Sequence, residues 1–195
     1  MNEKLTALLA ELEAFGEAND AAITDRARRM LNITPDTGEF LLLLIRAQKA
    51  KRVLEIGASD GYSTLWLAHA VEPLDGRVTT LELSPRKAEM ARENFGRAGM
   101  QSRIDLRLGN AGDFLKAQAR ETVDFIFLDS ERSEYVGWWN DLQRVLVSSG
   151  LLVVDNAVSH AREMEIFSAR VRETPGYLTA LVPVGKGELV ILKEG

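Results

Sequence analysis

The sequence has no cysteine and only two histidines, His69 and His160. Disulfides and thiolate metal sites are therefore excluded, and a zinc centre has almost no ligands to draw on. Proline is scarce, with five in 195 residues, and no Gly- or Pro-rich linker, repeat or low-complexity segment divides the chain. The longest wholly apolar run, 40–45, falls far short of the roughly 20 residues that span a bilayer. Positive charge is not in excess either. The 24 Lys and Arg face 29 Asp and Glu, a net charge of −5 that argues against non-specific nucleic-acid binding. The basic cluster Arg26, Arg28 and Arg29 reads as a solvated helix face. No signal peptide is expected, because residues 1–15 set Leu5, Leu8, Leu9, Leu12 and Phe15 at helical spacing among charges. A reducing, cytoplasmic location is the expectation.

What is present is globular composition, 46% apolar and 27% charged. The length suits a single domain, 1–195, able to bury roughly 70% of the surface of its unfolded chain. Residues 1–50 read as helices, over 1–15, 20–31 and, after the Thr34-Pro35 start signal, 36–48. From 51 to 195 the pattern changes. Short β-branched or apolar runs, RVLEIG, RVTTLEL, IDLRLG, VDFIFLD and LLVVDN, alternate with helical stretches at 62–71, 85–98, 111–119, 134–147 and 161–172. Strands without polar alternation, separated by helices, imply a parallel sheet covered on both faces. The segments 177–184 and 188–193 are joined through GKG and read as an antiparallel hairpin. The expected architecture is an open α/β sheet with an antiparallel edge.

In such sheets ligands bind outside the carboxyl ends of the strands, where strand order reverses. Those ends carry Glu55-Ile56-Gly57, Glu82, Gly109-Asn110-Ala111, Asp129 and Asp155-Asn156. The loop EIGASDGYS has GxxxG spacing, and Ala58-Ser59 breaks the dinucleotide pattern G-x-G-x-x-G. Two glycines and a helix start suit close approach to a ligand carboxylate, and the acidic Glu55 suits a cationic or zwitterionic ligand. A plain strand–helix turn is the alternative. Glu82 is placed to accept both hydroxyls of a ribose, or to cap the helix that starts at Ser84-Pro85. Asp129, Asp155 and Asn156 should converge as hard oxygen donors, a set that matches Mg²⁺. Serving as turn and cap residues is the alternative for that trio. Trp66, Trp138, Trp139 and His69 read as packing residues.

These motifs resemble those of the small cation-dependent O-methyltransferases, the group of catechol and caffeoyl-coenzyme-A O-methyltransferases. The resemblance runs through LNITPDTGEFLLLLI, VLEIGASDGYSTLWLA, TLELSPRKAEMARENFGRAGM, FIFLDSERSEYVGWW, GLLVVDN and VPVGKGELVILK, nearly the whole chain. It implies a Rossmann-like class I methyltransferase fold, a mostly parallel seven-stranded sheet with an antiparallel C-terminal hairpin strand and extra N-terminal helices. It implies that Glu55, Gly57 and Ser63 hold the methionine part of S-adenosylmethionine, Glu82 the ribose, and that Ala111 lies beside the adenine. Asp129, Asp155 and Asn156 would bind the divalent cation, Mg²⁺ first with Mn²⁺ or Ca²⁺ as alternatives, and Asp129 would also sit near the methionine amine. The acceptor would be a small, catechol-like hydroxyl compound, and the assembly a homodimer. Two departures stand out. Arg132 occupies the position three after the first metal aspartate where the family commonly has a lysine, and arginine stays protonated, so it cannot take a hydroxyl proton. It is left to steady an anionic acceptor as a catalytic residue beside Asp129, or to pair on the surface with Glu131 or Glu134. Glu131 and His160 are other candidates for the proton. Leu31 and Ile33 replace more familiar residues before the core. A hydroxylated tRNA nucleoside as target, or cofactor binding without catalysis, are the competing readings.

Overall fold

The computed structural model describes residues 1–195. Seven strands form one sheet in the order β3-β2-β1-β4-β5-β7-β6. They are β1 Arg52–Ile56, β2 Arg77–Glu82, β3 Ile104–Leu108, β4 Val123–Leu128, β5 Leu146–Val154, β6 Tyr177–Val182 and β7 Glu188–Lys193. β1 to β5 run parallel, and β7 inserts antiparallel between β5 and β6. The helices are α1 Glu3–Ala22, α2 Pro35–Gln48, α3 Tyr62–Val71, α4 Pro85–Ala98, α5 Ala111–Ala117, α6 Tyr135–Val145 and α7 Ala161–Arg172.

The period of two along each strand divides the interior into two cores. On β4, Phe125 and Phe127 pack with Leu5, Leu9, Leu41 and Ile45 from α1 and α2. Their neighbours Ile126 and Leu128 pack on the other face with Leu115, Trp139, Leu142 and Phe167 from α5 to α7. Both faces of the central strands are thus apolar, the reason these segments lack polar alternation.

Several expected boundaries move. The helix expected over 20–31 does not form: α1 runs on to Ala22, and only one 3-10 turn, Arg26–Arg28, follows. Asp20 explains the break, because its carboxylate accepts from the backbone N–H of Met30 (2.7 Å) and Leu31 (2.9 Å), folding the chain back across the end of α1. Leu31 takes up this turn with φ of +56°. Phe15, expected on the buried face of α1, is exposed, while Gly16 packs inward against Asn32. The helix expected over 134–147 ends at Val145, since Leu146 already pairs with Val123 in the sheet. The pairing slips between Val123 and Phe125, and from Phe125↔Leu151 onward it is regular.

Candidate active site

Strand order reverses between β1 and β4, and a cavity of about 990 Å³ opens at their carboxyl ends. Pairing continues past both strands: the N–H of Asp129 donates to Ile56 O and that of Asp155 to Leu128 O, each at 3.0 Å. With Leu128 opposite Val154, the next residues on the two strands, Asp129 and Asp155, lie side by side. The sheet register itself delivers them together.

Gly57 turns the chain away from β1 with φ of +110°, and a Cβ there would collide with the carbonyl of Asp129. Only glycine lets the two strand ends approach this closely. The loop after it is held by Glu82, whose Oε2 accepts from Ser59 N–H and Oε1 from Ser84 N–H, both at 2.8 Å. Glu82 lines the cavity, as do Gly57, Ser63 and Ala111. Glu55 does not. Its carboxylate is fully buried beneath the loop, accepting from Ser63 Oγ (2.6 Å), Thr64 Oγ1 (2.5 Å) and Thr80 Oγ1 (2.5 Å). Burial pushes its pKa up against the pull of those three hydroxyls. Glu55 thereby fixes the rotamer of Ser63 from below.

At the other end Asn156 adopts φ of +66°, and its Nδ2 donates to Asp155 Oδ2 (2.6 Å) and Asp129 Oδ1 (3.3 Å). Asp129 and Asn156 line the cavity, and Asp155 is buried behind them. Burial, then the charge of Asp155, hold the Asp129 carboxyl well above the usual carboxylate range. Glu188 adds a third carboxyl that sequence reasoning missed. Its Oε1 accepts from Thr37 Oγ1 at 3.1 Å, and its Oε2 has no donor partner. Burial, then the charge of Asp155, push its pKa up to about 10. Buried carboxyls whose pKa is pushed up by one another's charge mark a place short of positive charge. Two carboxylates and an amide whose oxygen can turn into the same space are a donor set fit for a hard divalent cation. No group of three His, Cys, Asp or Glu side chains is arranged to hold a metal.

Arg132 is neither solvated nor paired with Glu131 or Glu134. It is buried, and its Nε donates to Glu163 Oε2 at 2.8 Å on α7. The cause is helical register: Glu163 lies in the first turn of α7, which packs beside the Arg132–Glu134 turn. His160 lines the cavity with Nδ1 2.9 Å from Ser159 Oγ, and burial, then Arg132, lower its pKa. His69 lies outside the cavity, where burial, then Arg46, lower its pKa. Trp139 is core, donating to Thr174 Oγ1 at 3.0 Å, whereas Trp138, also read as packing, lines the cavity near Gly112. Its spacing on α6 gave no sign of this; only the fold shows which tryptophan faces inward. Ser59, Met30, Leu31 and Lys186 also line the cavity.

A seven-stranded sheet in this order, with its cavity at the β1/β4 switch point, defines the class I methyltransferase fold. Residues 6–175 match the family described as O-methyltransferase, and the chain belongs to that family. It is 35% identical over 162 residues to a catechol O-methyltransferase of Niastella koreensis, covering 82% of this chain and 69% of that one. It is 39% identical over 147 residues to a catechol O-methyltransferase of Mycobacterium tuberculosis, covering 75% of this chain and 64% of that one. The fold superposes with a TM-score of 0.81 on an O-methyltransferase from Bacillus cereus in complex with SAH, at 27% identity, covering 96% of this chain and 91% of that one. No helix is long and apolar enough to cross a membrane.

Proposed function

We propose that this O-methyltransferase uses S-adenosylmethionine and a divalent cation to methylate one hydroxyl of a small catechol-like acceptor. The observation that carries the reading is the two-ended cavity: a ribose-type carboxylate, Glu82, at one end and the Asp129/Asp155/Asn156 donor set at the other, with Gly57 between. The relatives named for catechol and the neighbour that holds SAH support the same reading.

Glu82 would hold the ribose hydroxyls, Gly57 and Ser63 the amino-acid part, with Glu55 acting through Ser63, and Ala111 and Trp138 would flank the adenine. Asp129, Asp155 and Asn156 would hold the cation. S-adenosylmethionine supplies an electrophilic methyl group, and a divalent ion, acting as a Lewis acid, favours ionisation of a hydroxyl. The chain's own work is alignment, since transfer by in-line displacement gains most from fixed geometry. The cavity lies at the joint of rigid strands, so the groups that orient the two reactants do not move independently. Methylation of catechol with radiolabelled S-adenosylmethionine, with Mg²⁺ and with EDTA, is the test. Turnover with Mg²⁺ that falls about 100-fold or more in EDTA is expected. Failure to bind S-adenosylmethionine would sink the reading, and equal rates in EDTA would remove the cation from it. A homodimer and a cytoplasmic setting complete the proposal, and gel filtration checks the first.

A further inference from the structure

The hydroxyl of an acceptor must shed its proton as its oxygen takes the methyl group. The O–CH₃ bond forms, the S–CH₃ bond breaks, the sulfonium becomes a thioether, and the proton leaves to water at the cavity mouth. A cation facing that oxygen stabilises the charge that develops on it. Four basic side chains line the cavity: Arg26, Lys87, Arg132 and Lys186. Arg132 already shares its charge with Glu163 through Nε, and Lys87 stands in the first turn of α4 beside Ser84, at the Glu82 end. Arg26 rides on the exposed 3-10 turn.

Lys186 is placed differently. Its main chain is held from two sides: Gly185 N–H donates to Asp36 Oδ2 (3.0 Å) in the first turn of α2, and Ser159 N–H donates to Lys186 O (3.0 Å). Ala157 N–H, directly after Asn156, donates to Gly187 O at 2.7 Å. Gly187 has φ of +94°, and any Cβ would strike Val158, so the hairpin tip lies against the loop that follows Asn156. This docking carries Lys186 to the acceptor end of the cavity, where its ammonium enters no ion pair. The other charged or titratable groups facing that end are Arg26, Asp129, Glu131, Arg132, Glu134 and His160. The three carboxylates oppose an oxyanion, and His160 is tied to Ser159.

On the reading of a catechol-like acceptor, we infer that Lys186 is a catalytic residue whose ammonium meets the ionising acceptor oxygen beside Asp129 and Asn156.

The test uses the full chain with S-adenosylhomocysteine, Mg²⁺ and 4-nitrocatechol, whose ionisation is visible by absorbance. Bound 4-nitrocatechol should ionise about one pH unit or more lower on the wild type than on Lys186→Met, and Lys186→Arg should recover most of the difference. With catechol and S-adenosylmethionine, kcat of Lys186→Met should fall about 100-fold at neutral pH with KM changed less than about threefold. Its melting temperature should match the wild type, because the exposed side chain makes no hydrogen bond or ion pair. Equal ionisation on wild type and Lys186→Met, or no bound ionising ligand on the wild type, overturns the inference. Wild type that ionises the ligand through Lys186 but transfers no methyl to any acceptor fails the proposed function alone. Wild type that methylates catechol no better than Lys186→Met fails the inference alone.

Discussion

Asp60 shows how much one buried side chain of the loop after β1 can matter. Its carboxylate is fully buried and accepts from Tyr62 N–H (3.3 Å) and, at the 3.5 Å limit, from Asn32 Nδ2. Burial outweighs these bonds and raises its pKa to about 6. Between its unfolded value near 4 and about 6, the folded protein binds more protons than the unfolded chain, so Asp60 lowers stability as pH rises through that window. The full loss, on the order of 2–3 kcal/mol, is present at neutral pH. Asp60→Asn should therefore gain stability relative to the wild type as pH goes from 4 to 7, whatever constant offset the new amide adds. Urea unfolding at a series of pH values measures this, and parallel profiles for the two proteins would contradict it. Asp60 also ties the loop to the N-terminal segment through Asn32, which lines the cavity.

Among the elements, the junction of β1 with α3 is the most constrained, because Gly57 packs directly on the backbone of Asp129. Gly57→Ala should cost roughly 1–3 kcal/mol for the left-handed φ alone. It should also push the cofactor loop off Asp129 and weaken S-adenosylmethionine binding by about 100-fold, as calorimetry would show. A variant that binds as tightly as the wild type would mean that the loop carries no ligand. This junction was legible in the sequence, as were the strands, because the doubly buried central strands β1 and β4 read as nearly continuous apolar runs and glycines mark sharp turns. The convergence of Asp129 with Asp155 followed from parallel pairing of strands separated by one helix. Other parts could not be read. Asp20 breaks the expected helix through bonds to Met30 and Leu31 ten and eleven residues on, a contact no local pattern encodes. The partner of Arg132 lies thirty-one residues away on α7, and Glu188 meets Asp155 only because β7 pairs with β5. Lys186 was visible in GKG as a turn residue, but its place in the cavity depends on where the hairpin docks.

For the molecule as a whole, two apolar cores share one sheet, and the cavity sits where the loops from both meet. A ligand bridging them stabilises the native state by mass action. S-adenosylmethionine at 100 times its Kd should add about 2.7 kcal/mol. For a chain of this size that raises the melting temperature by roughly 5–10 °C in differential scanning fluorimetry. No shift at saturating cofactor would contradict binding at this site. The late insertion of β7 between β5 and β6 has a further consequence for synthesis. While the nascent chain emerges from the ribosome, β1 to β4 and the loop around Gly57 can assemble, but β5 keeps a bare edge until residues 188–193 arrive. The Glu82 end of the cavity is made early in translation and the end beside Asn156 and Lys186 last. A chain halted before β7 would therefore be a half-built enzyme with a sticky sheet edge, the kind of intermediate that chaperones shield.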